Sequence, residues 1–162
     1  MPVDDFNKVF IQAAFKSRAE DNCALIRNDW ILVCKDIGDV YGSDWVKSNV
    51  LPTLETLTEQ KNYQLKSVFL HAAAELGGLL GAQTLTDVFL PPALSMVSDR
   101  VPNLRLMCAE SLGKVAVGAG NGKGWVDAGV INDKIKPVLG KLAEDTDVDV
   151  KDRATAALEA LS

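Results

Sequence analysis

The sequence predicts an all-α protein, an α-α superhelix (a HEAT-like solenoid) of about four helical hairpins. Two observations predict it: apolar residues recur at helical spacing, and a pattern of about 40 residues repeats along the chain. In residues 63–80, 104–117 and 148–161, apolar side chains recur at steps of three and four, which is typical of amphipathic helices. Alternating β-branched runs bounded by hairpin turns, which would indicate strands, are absent.

The repeat is visible in three proline-containing segments, residues 50–57, 89–96 and 135–142. Their shared prolines, Pro52, Pro91 and Pro137, are 39 and 46 residues apart. An acidic turn follows each segment, and then an apolar residue and a basic one. These bases (Lys66, Arg105 and Lys151) repeat the same spacings of 39 and 46 residues. Such self-similarity is typical of stacked helical units, each of which buries its apolar face against its neighbours.

The units are expected at residues 4–41, 43–81, 84–118 and 125–162. In the first, a weaker helix at 5–15 precedes a second helix that follows Glu20 and Asp21. In the other three, the first helix carries an interior proline, which removes one backbone hydrogen bond and bends the helix. Each second helix begins after an acidic turn, where carboxylates suit a helix N-terminus. A glycine-rich loop at 118–124 accounts for the seven extra residues before the last unit.

Composition narrows the class of protein. The 162 residues are 48% hydrophobic and 24% charged, which excludes a disordered chain. The net charge of −5 makes nucleic acid an unfavourable partner, since phosphate binding needs a basic face. The odd number of cysteines, three, argues against a disulfide framework and predicts a cytoplasmic protein, with the nucleus also compatible. The sequence contains no run of 18 apolar residues, which a membrane-spanning helix would need. The acidic N-terminus does not resemble a secretory signal.

No catalytic, metal or cofactor site is predicted, so we expect a protein that is not an enzyme. A lone histidine, His71, is too little for a zinc site or for most histidine relays. The cysteines Cys23, Cys34 and Cys108 are interpreted as small hydrophobic side chains, with Cys23 in a turn. The glycine-rich loop fails as a phosphate-binding loop, because Gly122-Lys123 is followed by Gly124 and not by a hydroxyl residue. The three tryptophans are expected to pack in or between the units (Trp30, Trp45 and Trp125).

The proline in the first helix, the aspartate in the turn and the base early in the second helix resemble the HEAT repeat. This resemblance implies that turn acids contact second-helix bases of neighbouring repeats. The candidates are Asp21, Asp99 and Asp145 with Arg27, Lys66, Arg105 and Lys151. The second copy departs from this pattern, because it has Gln60 where the others have aspartate.

Residues 134–151 resemble the final repeat of the scaffold (A) subunits of type 2A protein phosphatases. In that family an Asp-Val-Asp-Val-Lys run opens the last helix, as at 147–151 here. The resemblance implies a non-catalytic scaffold whose intra-repeat turns dock the phosphatase catalytic subunit. Tyr63 and Val101 match turn residues with that role, and Asn62, Arg100 and Pro102 flank them. Ala24 stands where the family has another turn aromatic.

Other interpretations remain open. Tyr63 could pack only on its adjacent turn, and Val101-Pro102 could form only a rigid helix start. The chain could belong to another assembly, such as a transport or translation scaffold. A HEAT-repeat lyase would need a cavity with a polar cluster, which one histidine without clustered acids does not predict. Finally, an uncovered N-terminal unit would favour self-association.

Overall fold

In the computed structural model, the structure describes residues 5, 17–118 and 124–162. Within these ranges, nine α-helical segments and two π-helical segments have defined bounds, residues 17–19 are also helical, and there is no strand. The α-helices are α1 Ala24–Tyr41, α2 Ser43–Asn49, α3 Leu51–Thr58, α4 Tyr63–Thr84, α5 Leu90–Met96, α6 Pro102–Val117, α7 Ala128–Val130, α8 Lys136–Leu142 and α9 Val148–Glu159. The π-helical segments are Leu85–Phe89, before α5, and Ile131–Ile135, before α8. The predicted all-α class is therefore confirmed.

The helices form consecutive antiparallel pairs, in which a long second helix follows a more irregular first one. We call α1, α4, α6 and α9 the second helices. Successive second helices pack on each other: α1 on α4, α4 on α6, and α6 on α9. In addition, α4, α6 and α9 each pack on the first helix of their own pair. This translational order is that of a solenoid. The predicted first helix at 5–15 and the central part of the glycine-rich loop lie outside the described residues, apart from Asp5.

The prolines interrupt the first helices instead of only bending them. The break between α2 and α3 at Val50 comes two residues before Pro52. Each π-helical segment ends two residues before its proline, Pro91 or Pro137. Since a proline ring clashes with the carbonyl four residues earlier, the widened π-helical turn relieves that clash.

Glycines with positive φ lie where one pair of helices leads to the next. Gly42 (φ 90°) separates α1 from α2, and Gly118 (φ 71°) ends α6. Gly81 (φ 78°) breaks the helical geometry inside α4. A residue with a Cβ rarely adopts this conformation, so glycine allows the sharp change of direction at these three positions.

One continuous apolar core runs through the pairs. Trp30 and Trp45 are buried, as are the thiols of Cys34 and Cys108, whereas Cys23 is exposed in its turn. Burial raises the pKa of Cys108 to about 12 and also raises the pKa of Cys34. Trp125 is half-buried and its ring packs against the backbone of α4 at Gly77. The predicted packing roles of the tryptophans and of the two buried cysteines agree with these positions.

Candidate functional site: the turns between paired helices

Three of the turns that precede second helices share one backbone construction. The side chain of an aspartate accepts a hydrogen bond from the backbone N–H two residues later, as in an Asx turn. The distances are 2.7 Å for Asp21 and Cys23, 3.0 Å for Asp99 and Val101, and 2.9 Å for Asp145 and Asp147. In the remaining turn, the Asn62 side chain accepts from the N–H of Gln64 at 3.0 Å and caps α4. The turns therefore present a series of similar loops, which we call, together with the first residue of the helix that follows the second and third of them, the turn ridge (residues 20–23, 59–63, 97–102 and 143–147).

Arginines in the second helices donate hydrogen bonds to the backbone carbonyls of two of these turns. Arg27 Nη1 donates to the carbonyl of Asp21 at 2.6 Å and to that of Asn22 at 3.1 Å. Arg105 Nη1 donates to the carbonyl of Asp99 at 2.9 Å. Each arginine thus reaches the carbonyl six residues earlier, and Arg27 is almost fully buried in doing so. Backbone groups that would otherwise lack a helical partner are satisfied in this way.

Arg105 also joins its own turn to the next one. Its Nε and Nη2 donate to the two carboxylate oxygens of Asp145 at 2.7 and 2.8 Å, a bidentate pair. These hydrogen bonds lower the pKa of Asp145 to about 2 and raise that of Arg105. One repeat earlier, Lys66 Nζ lies 4.0 Å from Asp99 Oδ2, a looser contact. The two contacts connect the turns of the last three pairs.

The other residues that were predicted to connect neighbouring repeats are placed differently. Arg27 donates to the carbonyls of its own turn, and the position in the next turn where the pattern would place an aspartate is occupied by Gln60. Lys151 is exposed near the start of α9, in the last pair. Asp21 lies in the first described turn and caps it through the N–H of Cys23. The inter-repeat contacts therefore involve four of the seven candidate residues: Lys66, Asp99, Arg105 and Asp145.

The predicted contact residues lie at two neighbouring turns of the turn ridge. Tyr63 is the first residue of α4, and Val101 immediately precedes α6. Both side chains are half-buried and pack against the core on one side. Asn62, Arg100 and Pro102 are exposed beside them. The ridge thus offers two partly apolar side chains with polar or exposed neighbours, an arrangement typical of protein interfaces.

Sequence reasoning missed a second charged network, on the exposed side of the second helices. Glu75 lies 3.8 Å from Lys35 on α1 and 3.1 Å from Lys114 on α6. Lys114 also lies 3.7 Å from Glu110, which lies 4.0 Å from Arg153 on α9. Part of a signal was present in the sequence, because Glu75 and Lys114 are 39 residues apart, the spacing between the second and third units.

The pKa values of Glu75 and His71 are both shifted in this part of the structure. Burial opposes ionisation of Glu75, but the hydrogen bond and charge of Lys114, with smaller contributions from His71 and Lys35, outweigh it, so the pKa of Glu75 lies below its ordinary value. Burial lowers the pKa of His71, and the nearby carboxylate of Glu75 only partly offsets this. His71 is therefore neutral at pH 7.

Within residues 17–118 and 124–162, no group of three or more histidine, cysteine or acidic side chains is placed to hold a metal ion. In the same part of the chain, no helix is both long enough and apolar enough to cross a bilayer.

Comparison with known proteins agrees with this architecture. The chain is 29% identical over 119 residues to the regulatory (A) subunit of protein phosphatase PP2A from Saccharomyces cerevisiae. The chain is a HEAT-like repeat protein that resembles this yeast protein. The match covers 72% of this chain but 19% of the relative, so the chain corresponds to about a fifth of its length. No protein-family model matches the chain.

Solved structures show the same fold at low sequence identity. A designed armadillo repeat protein, YIII(Dq)4CqI, is 16% identical, with a TM-score of 0.57 over 98% of this chain and 69% of its own. An engineered protein is 15% identical, with a TM-score of 0.61 over 98% of this chain and 68% of its own. A second designed armadillo repeat protein, YIII(Dq.V1)4CPAF, was solved in complex with the peptide (KR)4 and is 16% identical, with a TM-score of 0.60 over 91% of this chain and 63% of its own. These neighbours confirm the superhelix of helical hairpins.

Proposed function

We propose that this chain is a non-catalytic scaffold whose turn ridge docks the catalytic subunit of a type 2A Ser/Thr protein phosphatase. The observation that carries the proposal is the similarity to the regulatory (A) subunit of PP2A together with the placement of Tyr63 and Val101 on one ridge. Both residues are half-buried, so their exposed surface is held in place by the core behind it. Pre-ordered side chains lose little entropy on binding, which favours them as anchors.

The construction of the ridge supports this role. The bidentate pair between Arg105 and Asp145 and the contact between Lys66 and Asp99 link neighbouring turns. A rigid partner that touches several turns needs them at fixed mutual distances. We therefore assign these ionic contacts a spacing role, with Tyr63 and Val101 as anchors and Asn62, Arg100 and Pro102 as the surrounding rim.

Binding to purified type 2A catalytic subunit, measured by biolayer interferometry, tests the proposal. We expect Tyr63→Ala and Val101→Asp each to weaken binding at least about tenfold, as truncation of an interface anchor does. Val101→Asp is suited to the test because aspartate is a favoured residue immediately before a helix, so α6 should remain intact. Val40→Asp is the matched control, since Val40 is 79% exposed near the end of α1 farthest from the ridge.

The outcomes separate two errors. Absence of binding by the unmodified chain would contradict the phosphatase as partner. Binding that is unchanged in both ridge variants would contradict the site while leaving the partner standing. A loss that Val40→Asp reproduces would indicate a general effect of added charge and would contradict the assignment of anchors.

The remaining expectations follow the same proposal. The chain divides into units at residues 4–41, 43–81, 84–118 and 125–162, a division supported by the positive-φ glycines near three of these boundaries. It functions in the cytoplasm or nucleus, without a cofactor. Peptide binding by a designed armadillo neighbour supports protein partners in general.

We also propose weak self-association through the first unit. Helix α1 exposes apolar side chains to an unusual degree, including Leu25 at 72%, Leu32 at 45% and Val33 at 44%. Contiguous exposed apolar surface favours association. Analytical ultracentrifugation should show a concentration-dependent increase in mass, and a constant monomer mass at high concentration would contradict it.

A further inference from the structure

The third turn of the turn ridge has a serine where each of the other three turns has a glutamate. The repeat spacings of 39 and 46 residues align Ser98 with Glu20, Glu59 and Glu144. A phosphoserine carries an anion on a short side chain, as glutamate does, and its charge at pH 7 is about −1.5 to −2. A phosphate on Ser98 would therefore supply the negative charge that the repeat has at this position.

The Ser98 side chain is exposed and already contacts a cation of the next unit. Lys141 Nζ, on α8, donates a hydrogen bond to Ser98 Oγ at 3.1 Å. Among the described residues, no carboxylate forms an ion pair with Lys141. The positions that correspond to Lys141 in the two preceding units hold Ser95 and Thr56, which are uncharged. The turn that lacks glutamate is thus the one with an ammonium group beside it.

The other charges near Ser98 also favour a phosphate there. Arg100 is exposed two residues later in the chain. The adjacent carboxylate, Asp99, lies 4.0 Å from Lys66 Nζ and accepts the N–H of Val101, so its charge is partly compensated. A hydrogen bond between an ammonium group and a phosphate oxygen is stronger than one to a hydroxyl, because both partners are charged. Modification would therefore strengthen a contact that the unmodified serine already makes.

We propose that Ser98 is a phosphorylation site and that its phosphate binds Lys141, which links the third turn to the first helix of the last unit. The reaction uses ATP and a Ser/Thr protein kinase. Ser98 Oγ attacks the γ-phosphorus, the bond from that phosphorus to the oxygen bridging the β-phosphate breaks, and ADP leaves. The hydroxyl proton passes to the catalytic aspartate of the kinase. No phosphatase takes part, so the site is independent of the proposed docking function.

The first experiment tests whether kinases accept Ser98. The full chain is incubated with Mg·ATP and yeast cell extract as the source of kinases, and the modified positions are mapped by mass spectrometry. Ser95 is the matched control, because it is also exposed but lies within α5 and donates its hydroxyl to the carbonyl of Pro92 at 2.7 Å. We expect a larger modified fraction at Ser98 than at Ser95. Absence of phosphate on Ser98, or a fraction no larger than at Ser95, would overturn the assignment.

The second experiment tests the contact with Lys141. Phosphoserine is incorporated at position 98 by genetic code expansion, and phosphorus-31 NMR measures the second pKa of the phosphate, which is about 6 without a partner. We expect this pKa to be lower by at least about 0.5, because the ammonium group favours the dianion. Lys141→Met should restore the ordinary value. The control Lys134→Met, at an exposed lysine about 10 Å away along the same stretch of helix, should leave the pKa low. An unshifted pKa, or the same value in both variants, would contradict the contact.

Discussion

Replacing Asp145 with asparagine isolates the charge of the best-defined contact between neighbouring turns. The carboxylate accepts Nε and Nη2 of Arg105, and its Oδ1 also accepts the N–H of Asp147. An asparagine side chain retains an oxygen for the Asp147 N–H and has nearly the same shape. The variant therefore removes the negative charge while the Asx turn persists.

The expected cost follows from the pKa of Asp145. It falls from an ordinary value of 3.8 to about 2, chiefly because Arg105 donates two hydrogen bonds. At 1.36 kcal/mol for each pKa unit, this corresponds to an upper limit of about 2.5 kcal/mol. The side chains of Arg105 and Asp145 are 14% and 10% exposed at the edge of a turn, where solvent and salt reduce such interactions. We expect Asp145→Asn to lower the free energy of unfolding by about 1–2 kcal/mol at pH 7.

The pH dependence gives the effect a sign that a packing defect would not have. Because the pKa is lower in the folded state, the stabilisation is complete well above pH 3.8 and is lost as the pH falls towards 2. Integrated over that window, about half of the difference between the two proteins remains at pH 3. Urea unfolding of both proteins at pH 7 and pH 3 measures it.

The control is Lys66→Met, which removes the looser contact with Asp99 at 4.0 Å. Exposed pairs of this kind contribute about 0–1 kcal/mol, so this variant should cost less than Asp145→Asn. Equal costs for the two variants at pH 7 would refute the reasoning. So would a cost of Asp145→Asn that is the same at pH 3 as at pH 7.

Three further predictions concern packing, thiols and titration. Gly77→Ala should destabilise the protein, because a Cβ there would overlap the ring of Trp125. The neighbouring Gly78 is exposed, and Gly78→Ala should stabilise the protein by up to about 1 kcal/mol through the higher helix propensity of alanine. Thermal melts that rank the two variants in the opposite order would contradict the packing of Trp125 on Gly77. In the native protein, Ellman's reagent should modify Cys23 rapidly and the two buried thiols only after unfolding, and three fast-reacting thiols would contradict their burial. An NMR titration should place the pKa of His71 below 6.5, because burial disfavours its charged form, and a midpoint at or above that value would be incompatible with its surroundings.

The second helices could be predicted closely from the sequence. Apolar periodicity indicated helices at 63–80, 104–117 and 148–161, and the structure has Tyr63–Thr84, Pro102–Val117 and Val148–Glu159. Periodicity succeeds here because each of these helices buries one side against the core. The first helices were harder, since a proline shows that a backbone hydrogen bond is lost but not how the chain accommodates the loss. Two of them use a π-helical segment, which no residue pattern had indicated.

The candidate site was only partly predictable. The turn residues could be located because the turns recur with the repeat. The charged network around Glu75 could not, because it depends on how closely neighbouring second helices approach each other. Gly77 illustrates this dependence, since its missing side chain makes room for Trp125, 48 residues later in the chain. A glycine in a helical pattern gives no sign of which ring it receives.

Glu75 connects three successive second helices, α1, α4 and α6, through the ionic contacts of one carboxylate. Its one carboxylate lies between ammonium groups from the layers on both sides, Lys35 and Lys114. Without that charge, Lys114 would keep only its contact with Glu110, and the less compensated repulsion between Lys35 and Lys114 would favour a wider opening of the coil along that face. Its pitch would then depend on ionic strength, and X-ray scattering of Glu75→Gln in low salt should show a larger radius of gyration than in high salt. A radius that does not respond to salt would show that apolar contacts alone set the curvature.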